Sequence, residues 1–139
     1  MMKKRLLSWL IVCCMIMAIM PMTIQAAQNE QISPRWTNVN RVNAYITFNG
    51  TTGNVIVSVV GKTGVTNISL DIKLYYKSTS GSWIEIDKDW DYNVNQISFT
   101  VNESFDAVAG REYKIEVNGT ATKGGYAEPI SKTVTAVCP

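Results

Sequence analysis

The chain has 139 residues, 13 of them Lys or Arg, 11 Asp or Glu, and no histidine. That absence excludes Ser-His-Asp and Cys-His catalysis and every histidine-based zinc or iron site. The formal charge of +2 is an effect of the N-terminus: without Lys3, Lys4 and Arg5, 10 basic residues face 11 acidic ones, with no basic stripe, so nucleic acid is not an expected partner.

The chain opens with the three-part layout of a secretory signal peptide. Lys3, Lys4 and Arg5 precede an apolar run from Leu6 to Met20, then Pro21 and the small residues Ala26 and Ala27. As a helix the run is roughly 22 Å long, short of the ~30 Å hydrocarbon core. A retained anchor, reading on through Pro21 to Ala27, is the rival. A lipoprotein signal does not fit, because Val12 stands before Cys13 and that cysteine comes too early in the run. Cleavage after Ala26 makes residues 1–26 a signal peptide and leaves 113 residues, enough for one core and too few for two. The product is expected outside the cell and off the membrane.

Only Cys138 remains after cleavage, so an internal disulfide is excluded. The thiol is either idle and exposed or it links a homodimer. The tail Val137-Cys138-Pro139 carries no sortase signal, so covalent wall anchoring is not expected.

Residues 27–41 are polar and interrupted by Pro34, and read as a flexible lead-in steadied by Trp36. From there period-two alternation dominates. VNAYITF places Val42, Ala44, Ile46 and Phe48 on one face, and NVIVSVV is β-branched up to Gly61. NISLDIKLYY alternates Ile68, Leu70, Ile72, Leu74 and Tyr76 against Ser69, Asp71, Lys73 and Tyr75. SWIEIDKDW aligns Ile84, Ile86 and Trp90, and NQISFTV aligns Ile97, Phe99 and Val101. EYKIEVNGTA turns Tyr113, Ile115, Val117 and Ala121 inward, and ISKTVTAV keeps Ile130, Val134 and Ala136 in phase. Gly-, Asn- and Ser-rich segments separate the runs, as turns require. GKTG at Gly61 lacks the spacing and the helix of a phosphate loop and reads as a turn. The Asn-x-Ser/Thr sequons at Asn49, Asn67, Asn102 and Asn118 fall in turn-like sequence or on strands and are not expected to be used in a bacterial host. No 3.6-residue period is long enough for a helix. The expectation is all-β: a seven-stranded antiparallel β-sandwich over residues 42–137, with a partly open barrel as the alternative.

The stretch VAGREYKIEVNGTATKGGYAEPISKTV, Val108 to Val134, resembles the last two strands of fibronectin type III and related immunoglobulin-like modules. Gly110 and Tyr113 match the tyrosine-corner positions, and Lys123 to Gly125 the hairpin tip. The chain departs from the pattern at Ala107, where Leu is usual, and at Ala109, where Pro is usual; the Cys-Trp-Cys of antibody-type domains is absent. The whole chain is also similar to small secreted proteins of Gram-positive bacteria, in which a signal peptide leads through an ISPRW-like segment into one β domain. That group brings no known activity and no cofactor with it.

The candidate site is LDIKLYYKSTSGSWIEIDKDWD, Leu70 to Asp91, with four aromatics and five carboxylates. A hairpin with Lys77 opposite Trp83 places Tyr75 against Glu85, Lys73 against Asp87 and Asp71 near Asp89. This is either a decorated outer face that keeps the sheet soluble or a ligand platform of Tyr75, Trp83 and Glu85. Two rings beside a carboxylate suit a surface polysaccharide, and the same residues suit a protein. Asp87, Asp89 and Asp91 alternate along an extended chain and form a candidate Ca²⁺ site, although Ca²⁺ takes about six to eight oxygens and the EF-hand glycine is missing. A glycosidase pair is not expected, since the acids lie along one strand and leave no cleft. The reading is a secreted, non-enzymatic binding module, with a small effector or antimicrobial protein as the alternative.

Overall fold

A computed structural model describes residues 35–139. The chain divides into two units, Met1–Ser33 and Pro34–Pro139. The expected signal peptide, and the lead-in up to Pro34, lie outside the described residues.

Eight strands follow one another: β1 (Val39–Asn49), β2 (Thr52–Gly61), β3 (Val65–Lys77), β4 (Trp83–Ile86), β5 (Asp91–Val94), β6 (Ser98–Asp106), β7 (Glu112–Lys123) and β8 (Tyr126–Val137). They form two antiparallel sheets. One has the order β1-β2-β6; the other runs β4-β3-β7-β8, with β5 also paired to β3. The rows that alternation assigned to the interior meet between the sheets. Val55, Val57 and Val59 of β2 face a core that includes Ile68, Leu70, Ile72 and Leu74 of β3 and Ile115 and Val117 of β7, all 1 % exposed or less. Each such side chain stabilises the fold by roughly 1.5–3 kcal/mol relative to exposure.

The strand count differs from seven because the run after Trp83 is broken. β4 ends at Ile86 and β5 begins only at Asp91. Between them the Trp90 side chain is buried, and its carbonyl accepts the Ile72 amide at 3.2 Å. Asp87, Lys88 and Asp89 stay in solvent, so the chain leaves the ladder there and rejoins β3 at Asp71, with the register shifted by two residues. Ile84 and Ile97, both expected inside, are 42 % and 46 % exposed, Ile84 on the outermost strand of its sheet and Ile97 just ahead of β6.

The domain also starts earlier than residue 42. β1 begins at Val39, and Trp36 packs against the core. The Thr37 and Asn38 amides donate to the Glu128 carboxylate of β8, at 2.5 and 2.6 Å. Glu128 is 7 % exposed. Burial pushes its carboxyl up, but those two amide donors outweigh burial and hold it below the ordinary glutamate range.

Two glycines allow close approach. A Cβ on Gly53 would meet the ring of its cross-strand partner Phe105, and one on Gly119 would meet the Ser69 carbonyl. Phe105 packs on Phe48 and Tyr113, with ring centroids 6.3 and 5.0 Å apart. The Tyr113 hydroxyl accepts the Val108 amide at 2.8 Å, five residues upstream at the corner between β6 and β7.

Candidate functional site

The outer face of the five-stranded sheet carries the hairpin residues. Lys77 stands opposite Trp83 and Tyr75 opposite Glu85, as the hairpin reading requires. The next pair does not form. β4 has ended before Asp87, and the Lys73 ammonium pairs instead with Glu85 at 3.4 Å, which raises the lysine's pKa. Asp71 stands opposite Asp91 of β5 rather than near Asp89.

A residue that sequence reasoning left unassigned organises the face. β7 lies on the other side of β3, and its register puts Lys114 beside Tyr75. The Lys114 ammonium sits 4.3 Å from the Tyr75 ring centroid and 5.0 Å from that of Trp83. It also pairs with Glu116, and its side chain is only 15 % exposed. Lys77 approaches Trp83 to 5.5 Å and pairs with Glu112 at 2.8 Å. Cation–π contacts of this kind contribute about 0.5–2 kcal/mol, more as water is excluded. Tyr75 and Trp83 are half-buried. Burial, followed by the negative fields of Glu116 and Glu85, pushes the Tyr75 hydroxyl up. The only sequence signal for Lys114 was its outward place in EYKIE. Its partner on β3 is set by a pairing of residues 39 positions apart.

The result is a patch of two rings with three ammonium and three carboxylate groups, from Lys73, Lys77, Lys114, Glu85, Glu112 and Glu116. Ammonium groups already lie against both rings.

The three aspartates are not brought together. Asp87 and Asp89 lie in the segment between strands, and Asp91 opens β5. Among the described residues no group of three or more His, Cys, Asp or Glu side chains is placed to hold a metal ion. Strand alternation cannot align the three, because the chain is not a strand across all of them.

Cys138 corrects the expectation of an exposed thiol. It is fully buried and unpaired among the described residues, with Sγ 3.6 Å from the Gly50 carbonyl oxygen. The folded domain offers no thiol at its surface for an intermolecular disulfide. The strand that ends at Val137 continues its inward row through Cys138, which draws the thiol into the core.

At one end of the same sheet lies an open groove of about 510 Å³, between the β3–β4 turn and the β6–β7 corner. Lys77, Thr79, Val108, Arg111, Glu112 and Val137 contribute to its walls.

No protein-family model and no curated protein matches the chain.

Proposed function

We propose that the chain is an exported, non-catalytic interaction module of the fibronectin type III or immunoglobulin-like sort. It binds a protein partner, in the medium or at a cell surface, through the outer face around Tyr75, Trp83 and Lys114. The layout of Lys3 to Ala27 supports export. The bond from Val108 to Tyr113 supports the type, since those modules tie a tyrosine near the start of the penultimate strand back to the preceding corner.

The observation that carries the binding role is the Lys114 ammonium held between two half-buried rings. Interfaces are enriched in Tyr and Trp, and a patch already fixed by cation–π and ionic contacts loses little side-chain entropy on binding. Glu85 stays in the site as the partner of Lys73 rather than as a hydrogen-bonding group for a sugar.

The test is retention of the purified protein on intact cells, on protease-shaved cells and on insoluble polysaccharides, with Trp83→Ala beside it. Retention on intact cells that shaving and the substitution both abolish supports the reading. Retention on the insoluble polysaccharides, or on cells after shaving, assigns a glycan ligand instead. N-terminal sequencing of protein from the medium checks export: a mature start at Ala27 is the expected result.

A further inference from the structure

The end groove has features that the outer face lacks. Both of its walls are fixed by hydrogen bonds. In the β3–β4 turn, Ser78 N donates to Ser82 O at 2.8 Å, Gly81 N to Ser78 O at 2.9 Å, and Ser82 N to Ser78 Oγ at 3.1 Å. Across the groove, Arg111 N donates to Val108 O at 3.2 Å, Gly110 N to Cys138 O at 2.8 Å, and Cys138 N to Arg111 O at 2.9 Å. The Tyr113 hydroxyl anchors the same corner through Val108. The groove is therefore present before any ligand arrives, and its 510 Å³ falls within the range of small-ligand sites.

Its chemistry is asymmetric. Val108 and Val137, 51 % and 58 % exposed, both line the groove and give it two aliphatic side chains. Two cations approach the groove. Glu112 neutralises Lys77 at 2.8 Å. Arg111 has no carboxylate partner among the described residues; its guanidinium lies 4.6 Å from the Tyr76 ring centroid, which fixes its plane. One free planar cation beside two exposed aliphatic side chains matches a ligand with a carboxylate next to a short aliphatic group. Thr79 and the Lys77–Glu112 pair offer polar surface where a peptide backbone would continue.

We propose that this groove binds the C-terminal end of a peptide chain, with its carboxylate on Arg111 and its last aliphatic side chain between Val108 and Val137. The site is separate from the Tyr75–Trp83 face and does not depend on it.

The probe is fluorescein-Gly-Gly-Gly-Ala-Val-Leu with a free carboxylate, followed by fluorescence anisotropy against the same peptide amidated. Charge-assisted hydrogen bonds set the expected difference at about tenfold or more in favour of the acid. Arg111→Gln removes that preference and leaves the weak binding of the amide unchanged. Val137→Ser, at an exposed edge-strand position opposite Glu112, weakens binding of the acid with little change in melting temperature. Equal binding of acid and amide overturns the proposal. So does the absence of saturable binding up to about 1 mM, the millimolar limit of a weak specific site. Displacement of the peptide by dodecanoate at lower concentration than by the unlabelled peptide assigns the groove to lipid acids and overturns it as well.

Discussion

The Tyr92 hydroxyl donates to Glu103 Oε1 at 2.8 Å, and this bond, beside the contact of the Tyr92 and Phe99 rings, links the two sheets along one open side of the sandwich. Tyr92 belongs to β5 and Glu103 to β6, whose own sheets do not pair with each other. The opposite side is closed in the same way, by the Glu128 carboxylate of β8 on the amides of Thr37 and Asn38. Each seam thus uses an inward-pointing acid on an edge strand. Such residues also discourage edge-to-edge pairing with other chains. β8 carries two further guards: Pro129, which has no amide donor, and Lys132, in the same row as Ile130 and Val134.

The Tyr92 seam is expected to fail at alkaline pH. Burial, then the hydrogen bond and charge of Glu103, then Asp89, push the hydroxyl up to about 12. A group raised in the folded state contributes stability that is complete below its unfolded value, about 10. That contribution is lost as pH rises through the folded value. Denaturant melts at pH 7 to 12 are expected to show a fall in stability above pH 10 in the parent chain and a smaller one in Tyr92→Phe. The substitution is expected to cost about 0.5–1.5 kcal/mol at pH 7. Parallel curves for the two proteins would rule the seam out as the cause.

The Glu128 seam responds in the opposite direction. Its carboxyl is held low, so its contribution is present above the ordinary glutamate value and disappears as pH falls through the folded one. Glu128→Gln keeps the shape, removes the charge, and turns an amide NH₂ toward a backbone donor. Hydrogen bonds to charged groups are worth about 1.5–3 kcal/mol, and a loss of that size is expected at pH 7. Below about pH 4 the gap between parent and variant is expected to narrow. Urea titrations at pH 7 and pH 3 measure both effects, and a constant gap would contradict the account.

Tyr113→Phe isolates the corner bond. The ring stays in its place against Phe48 and Phe105, so only the acceptor for Val108 N is lost. A cost of about 1–3 kcal/mol is expected for the orphaned amide. Because Val108 lines the end groove, the variant is also expected to show faster amide exchange across residues 108–111. Unchanged exchange there would mean that the bonds to Cys138 hold the corner unaided.

Much of the sandwich was legible because its cause is local. Ile68, Leu70, Ile72 and Leu74 alternate with polar residues, and a sheet buried on one face demands that alternation. The turn STSGS likewise determined the Lys77–Trp83 register. The break between β4 and β5 was not legible. Asp87 to Asp91 keeps the alternating pattern, yet the chain leaves the ladder there while Trp90 is buried. Lys114 was hidden for a different reason. Its rings come from β3 and β4, and only the non-local pairing of β3 with β7 brings them within reach. Glu128 carried no signal in the alternation, and Cys138 was expected at the surface from its terminal position. In each, tertiary partners decided the outcome: two backbone amides for the acid, and for the thiol a terminus tied to Gly110 and Arg111.

Cys138 makes that last point measurable. A thiol that is fully buried reacts only when the C-terminal segment detaches, and detachment requires breaking the bonds from Gly110 N to Cys138 O and from Cys138 N to Arg111 O. Labelling by a small aromatic disulfide at pH 8 is therefore expected to be slow for the native protein and immediate in denaturant. The native protein is expected to run as a monomer on reducing and non-reducing gels alike. Arg111→Gln keeps the backbone carbonyl that Cys138 uses and is expected to leave the labelling rate unchanged, whereas Gly110→Val strains a residue at φ +78° and is expected to speed it. Rapid labelling of the native parent would show that the last strand opens by itself. A disulfide-linked dimer would then become accessible, and the end groove would lose the wall that Val137 provides.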